Sequence, residues 1–310
     1  AAASERIHKK VNAISSGVIE VFERRMPSGG TLHIEEIQDQ VELQLMRSEE
    51  LEVARSYILY RAGRTQERKK VAPEIDIPNK PKINITKTDG TLVPLDVDKV
   101  AALINDACDG LEEVSMNVVL EEALKNLYDG VSLADMRTSL VMSARTKVEQ
   151  EPNYSFVTAR ILMDQLRSEA LGFLGVAEES TYDQMEEFYP KAFLAYIDKG
   201  IELDILDPGL KTFDLDRLGK AIDHTRDNQF TYLGLQTLYD RYFIHSNDVR
   251  YELPQVFFMR VAMGLAAEED NREERAIEFY RLLSSFDYMS STPPLFNSGT
   301  KRPQLSSCYL

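Results

Sequence analysis

Cysteine is scarce in this sequence: only Cys108 and Cys308 occur, far apart and without a Cys-x-x-Cys spacing. That excludes a disulfide scaffold and a zinc knuckle, and it fits a reducing compartment. Long apolar runs are missing as well. No stretch of about eighteen apolar residues and no charged-then-apolar leader occurs, which argues against a membrane span or a secretion signal. The chain therefore reads as soluble and cytoplasmic. Basic residues are outnumbered, 36 Lys and Arg against 51 Asp and Glu, for a net charge of −15. Such an excess of acid argues against a grip on the backbone of DNA or RNA and leaves room only for a compact basic pocket around one small anion. An initiator Met is lacking, and Ala1 to Lys10 already read as the approach to a helix, so the N-terminus reads as truncated.

What the sequence does contain is length and helical periodicity. Its 310 residues suffice for two or three modules, each with its own core. A first block, residues 1–70, holds one helix with Val11, Ile14, Val18, Val21 and Phe22, then the breaker Met26-Pro27-Ser28-Gly29-Gly30. A second helix follows, with Thr31 as N-cap and Ile34, Ile37, Val41 and Leu45 on one face. A third, short helix carries Val53, Tyr57 and Tyr60. Residues 71–82 contain three prolines and few large apolar side chains, and read as a linker.

The second block, residues 83–175, opens with the alternation Ile83-Asn84-Ile85, a two-residue turn signal at Asp89-Gly90 and a returning strand from Leu92 to Leu95. Asp98 or Asp96 can cap a helix with Val100, Leu103, Ile104, Ala107 and Leu111 on one face. A helix with Val119, Ala123 and Leu127 comes next. Ser132 and Asp135 then form a capping box ahead of Met136, Leu140, Ala144 and Val148. Pro152 ends that helix, and a last one runs from about Ser155 to Ala170 with Gly172 as its stop. Ile37-Val41-Leu45 superposes on Met136-Leu140-Ala144, and Ala54-Arg55 on Ala159-Arg160, so the first block reads as a second copy without its hairpin.

Residues 176–289 are again helical, with Phe230, Leu233, Thr237 and Tyr242 along one segment, Pro254 opening another through Phe257, Val261 and Leu265, and Ile277, Tyr280 and Leu283 on a third. Residues 290–310 change character, with turn-rich Ser290 to Pro294 and Asn297 to Thr300, and Gln304 to Leu310 as the start of a strand.

Three stretches carry a resemblance. Thr292-Pro293-Pro294-Leu295-Phe296-Asn297-Ser298-Gly299-Thr300, with Gln304-Leu305-Ser306-Ser307-Cys308-Tyr309-Leu310, resembles the segment entering the catalytic barrel of class I (aerobic, class Ia-like) ribonucleotide reductase large subunits. Ile85-Thr86-Lys87-Thr88-Asp89-Gly90 with Asp98-Lys99-Val100 resembles the ATP-cone, a regulatory module of those subunits. Ile34-Glu35-Glu36-Ile37-Gln38-Asp39 and Ala54 to Arg61 look like the back half of another cone. The implied fold is mainly α: ATP-cone helical bundles with a small β-hairpin, then the helical N-terminal region of the catalytic domain, then the start of its α/β barrel.

The resemblance also implies chemistry. In the family a thiyl radical removes the ribose 3′-hydrogen, the 2′-hydroxyl leaves as water, and two cysteines become a disulfide as they supply the electron pair. Cys308 matches the first of that reducing pair and Ser307 a substrate hydrogen-bonding position; the remaining active-site residues would lie beyond Leu310, so the fragment alone would be inactive. By residue type alone Cys308 reads as a buried cysteine at a strand start, a reading that the flanking motif reverses, and Cys108, among Ile104, Ala107 and Leu111, reads as a packing residue. Pro294 stands where the family commonly has a Thr whose hydroxyl could reach substrate phosphate. The implied partners are a small radical-generating beta subunit holding the metal-radical cofactor, other large subunits, a ribonucleoside diphosphate, and an external dithiol such as thioredoxin or glutaredoxin. No metal is expected in this chain.

ATP and dATP are the implied allosteric effectors. Lys87 and Lys99 keep two positive charges at the cone's triphosphate positions, although by charge alone both read as solvated surface lysines. Thr88 stands where a functional cone usually has Arg, Leu133 where a small polar residue is expected, and Ser168 where Lys can occur. The second cone is therefore expected to bind nucleotide weakly or not at all, leaving sensing to the first when its missing hairpin is present. The alternative is a nucleotide-sensing or oligomerisation module without enzymatic activity. A cone-bearing repressor would need a zinc-ribbon cysteine set and a basic face, and the sequence has neither.

Overall fold

The computed structural model describes residues 2–25, 34–48, 52–59, 83–87, 90–178 and 180–308. The chain divides into two compact units, Ala1–Asp76 and Ile77–Leu310.

The first unit contains α1 (Ala2–Arg25), α2 (Ile34–Arg47) and α3 (residues 52–59). Val18 and Phe22 of α1, Leu45 of α2 and Ala54 of α3 are buried. Gln44 donates to the Gly17 carbonyl at 3.3 Å. Val11, expected in the core, is exposed. The reason is length: α2 has 14 residues to the 24 of α1 and cannot cover its whole stripe. On α3, Ala54 rather than Val53 turns inward. The breaker at 26–30, the cap at Thr31, Tyr60 and the linker at 71–82 lie outside the described residues.

In the second unit β1 (Asn84–Thr86) pairs antiparallel with β2 (Leu92–Pro94), Ile85 opposite Val93. The turn differs from expectation. Gly90 N donates to Lys87 O and Lys87 N to Thr91 O, both at 2.9 Å, which closes a three-residue rather than a two-residue loop. Gly90, at φ +83°, takes the left-handed position such a loop requires. Helices α4 (Val97–Cys108) and α5 (Met116–Asn126) follow, then a short strand, β3 (Val131–Ser132), that pairs parallel with β1 and runs straight into α6 (Leu133–Arg145). Asp96, not Asp98, caps α4, accepting from Lys99 N at 3.0 Å. Ser132 accepts from Asp135 N at 3.0 Å and donates to its carboxylate at 2.7 Å. Val100, Ile104, Val119, Ala123, Met136, Leu140 and Ala144 form the core.

Helix α7 (Tyr154–Phe173) closes this bundle, and its stop is Gly175 rather than Gly172. Val176 N reaches back to Leu171 O at 2.9 Å across Gly175 at φ +68°, whereas Gly172 stays within the last helical turn. Next come α8 (Met185–Glu202), α9 (Leu215–Lys220), a 3-10 turn at His224–Gln229, and α10 (Tyr232–Arg241). The hairpin of β4 (His245–Ser246) and β5 (Val249–Arg250) leads to α11 (Pro254–Leu265) and α12 (Arg272–Ser284). Pro254 opens α11 at its first turn, where no N–H is needed.

The buried face of α10 differs from the expected one. Leu235 and Leu238 are buried while Leu233 is 75% exposed. Periodicity fixes a stripe only to within a neighbouring ridge, and packing against α7 selects the other one. Residues expected to be all turn include a helix, α13 (Thr292–Asn297), because Pro293 and Pro294 sit in its first turn, where the missing N–H costs nothing. Residues 304–308 form no strand; a single antiparallel bridge pairs Leu206 with Thr300 instead. Among the described residues no helix is long and apolar enough to cross a membrane.

Candidate functional site

Sequence reasoning points to two places, the cone's hairpin corner and the segment ending at Cys308. At the corner, the parallel register sets Thr86 opposite Ser132, and the Thr86 hydroxyl donates to Gly130 O at 2.8 Å. Lys87 and Leu133, the next residues on each strand, thus leave the sheet at the same end. The Lys87 and Lys99 side chains are exposed, Lys99 in the first turn of α4. Leu133 is half-buried, and Ser168 on α7 accepts from Arg137 Nη2 at 3.2 Å, so its hydroxyl is already engaged. Thr88 lies outside the described residues.

The Cys308 segment is held from beneath. Arg260 on α11 is fully buried beside an equally buried Glu252, Nε to Oε1 at 2.7 Å and Nη2 to Oε2 at 3.3 Å. Its remaining donors reach Ser298 O at 2.7 Å and Leu295 O at 3.1 Å, carbonyls at the end of α13. Tyr196 donates to Glu252 at 2.5 Å and Ile244 N does so at 2.9 Å, so each carboxylate oxygen of Glu252 accepts two hydrogen bonds. Burial alone would lower the guanidinium pKa, but the charge of Glu252, then of Tyr196, outweighs it and drives Arg260 up. Beyond Ser298, Gly299 at φ +75° turns the chain, Asp207 N donates to Gly299 O at 3.1 Å, and Asn297 Nδ2 donates to Gln304 O at 2.8 Å. Ser307 and Cys308 follow, both exposed, with the Ser306 hydroxyl donating to Cys308 O at 2.9 Å. Pro294 contributes to the first turn of α13, and Thr292 Oγ1 lies 3.3 Å from the Tyr242 hydroxyl.

A third cluster was not expected. Asp227, buried, accepts from Tyr189 at 2.8 Å and from Gln255 at 2.9 Å, with Arg167 of α7 at 3.9 Å. Burial pushes its carboxyl up against the opposing pull of Arg167 and these hydrogen bonds. Glu169, two residues along α7, accepts from the Tyr239 hydroxyl at 2.7 Å and from Arg250 N at 2.5 Å. One helix therefore closes the hairpin bundle and docks on the helices beyond it. A signal for the buried pairs was present: Glu252 and Arg260 are the only charges in the apolar run from Tyr251 to Ala267.

Cys108 is half-buried at the end of α4, and burial pushes its thiol up to about 11. Among the described residues no group of His, Cys, Asp and Glu could hold a metal ion.

The ATP cone domain model matches residues 1–66 and again 83–169, and the model of the ribonucleotide reductase all-alpha domain matches residues 228–303. Ribonucleoside-diphosphate reductase subunit alpha of Chlamydia muridarum is 40% identical over 311 residues, covering 98% of this chain and 29% of that protein. The corresponding subunit of Helicobacter pylori is 37% identical, covering 74% of this chain and 28% of its own length. The large subunit of Danio rerio is 31% identical over the same shares. The chain thus spans under a third of the curated relatives it matches.

Proposed function

We propose, from the premise that this chain belongs to the family of ribonucleoside-diphosphate reductase alpha subunits, that it forms the regulatory and entry region of an enzyme making deoxyribonucleoside diphosphates. Of its two cone domains, the first would report ATP and dATP levels. The segment after α12 would deliver one thiol to the active site, completed by residues outside this sequence and by a radical-generating small subunit. Cys308 would be one of two thiols that give the ribose its electron pair and become a disulfide, and a dithiol protein of the cytoplasm would reduce that disulfide again. Ser307 would hydrogen-bond the substrate.

The observation that carries this reading is the path from Leu295 to Cys308: its start is tied to a buried ion pair, and Asn297 ties the onward turn at Gln304, four positions before Cys308. In the complete subunit assayed with its partner, Cys308→Ser is expected to abolish deoxyribonucleotide production and Cys108→Ser to retain it. Wild-type turnover by Cys308→Ser contradicts the assignment.

The domain limits follow the same reading: residues 1–70 are the back of a first cone, 83–175 a second cone, 176–289 the helical region, and 290–310 the entry to the barrel. The second cone would bind nucleotide weakly, since Leu133 offers no hydroxyl and the Ser168 hydroxyl is engaged by Arg137.

A further inference from the structure

We infer that Arg260 is a positioning residue for the cysteine-bearing segment, acting through the end of α13, and that Asn297 relays this placement towards Cys308. The inference rests on the functional reading above and deepens it. Its basis is the uneven use of the Arg260 donors. Nε and one Nη2 contact satisfy Glu252 within the helical core, while Nη1 and a second Nη2 contact go to the backbone carbonyls of Ser298 and Leu295. Those carbonyls close a short helix, where a cation is favoured and a planar fork can hold two acceptors in fixed relation.

The anchor point cannot slide. Gly264 faces the Ser298–Gly299 backbone so closely that a Cβ there would lie 2.7 Å from Ser298 C, and the Ser298 hydroxyl donates to Val261 O at 2.8 Å. Gly299 in turn packs against Arg260 itself. From this fixed point Asn297 reaches forward to Gln304 O, and Thr300 pairs with Leu206, so the turn between residues 297 and 304 is closed at both ends. Only three residues separate Gln304 from Cys308. A buried guanidinium needs acceptors for its N–H groups, and here two of those acceptors are carbonyls of the segment that leads to Cys308. Lysine in its place could neutralise Glu252 but could not hold both carbonyls in the same fork.

The test uses the complete subunit with its small subunit and effectors, comparing wild type, Arg260→Lys and Asn297→Ala. Asn297 is partly exposed and its amide is not part of the core, so that variant folds even if Arg260→Lys does not. A displaced thiol costs rate rather than affinity, and a shift of about 1 Å in a reacting group can cost a hundredfold. Both variants are therefore expected to lower kcat by about tenfold or more while KM for the ribonucleoside diphosphate stays within about twofold. In parallel, mass spectrometry follows the alkylation rate of Cys308, which is expected to change in Asn297→Ala with or without turnover. If Asn297→Ala keeps both the wild-type kcat and the wild-type alkylation rate, the positioning role is overturned. A rise in KM at constant kcat overturns it too. A wild-type subunit without reductase activity would sink the functional reading instead, and the alkylation comparison would still decide the geometric claim.

Discussion

Arg160 Nη1, on α7, lies 2.7 Å from the carbonyl oxygen of Asp109 and 3.1 Å from that of Ala107, so a cation from the last helix of the cone caps the C-terminus of its first. Carbonyls at a helix end lack intrahelical partners, and a guanidinium satisfies them while opposing the negative end of the dipole. Arg160→Met is expected to destabilise the chain by about 2 kcal/mol, the loss of hydrogen bonds to a charged donor. Denaturant unfolding of the wild type and variant measures this, and a difference below about 0.5 kcal/mol would show the cap to be dispensable.

Cys108 and Cys308 should separate chemically. Burial lifts the Cys108 thiol from its ordinary value of 9.0 to about 11, and only the thiolate is nucleophilic. Alkylation near neutral pH is expected to label Cys308 and spare Cys108, with the Cys108 rate rising as the pH approaches 11. Because the folded state favours the protonated thiol, this group's contribution to stability is fully present below pH 9 and is lost as the pH climbs through about 11. Equal labelling of both cysteines at neutral pH would contradict the burial.

Gly264→Ala places a methyl group against the Ser298–Gly299 backbone, which cannot swing aside as a side chain could. Overpacking of this kind costs about 1–3 kcal/mol, and here it falls on the strap that leads to Cys308. Thermal unfolding should show a lowered Tm. An unchanged Tm would mean the strap is free to lift.

Nucleotide binding should not depend on the second cone. Lys87→Ala with Lys99→Ala is expected to leave the dATP affinity of the complete subunit within about threefold of wild type, since exposed lysines alone add little to an incomplete site. Equilibrium dialysis with labelled dATP reads this directly. A tenfold or greater loss would establish the second cone as the sensor.

Much of this architecture could be read from the sequence, and the exceptions have physical causes. Caps at Ser132 and the Pro254 start are local, set by groups within one turn, and were legible. The apolar face of α10 was not, because Leu233 and Leu235 are equally apolar and only the approach of α7 decides between them. Helix α13 was hidden by its own prolines, which break a helix in its interior but open one at its first turn. For the candidate site, the motif flanking Cys308 pointed to it, whereas Arg260 and Glu252 sit eight positions apart on a helix entrance and join α13 only through long-range packing.

The central assignment concerns Cys308 and is tested most directly by its redox state. The complete subunit, reduced and then allowed to turn over a ribonucleoside diphosphate with its small subunit but without external dithiol, would be trapped with alkylating reagent and its peptides mapped. Cys308 is expected to emerge in a disulfide, formed in proportion to deoxyribonucleotide produced. Product formation with Cys308 still a free thiol would contradict its place in the reducing pair.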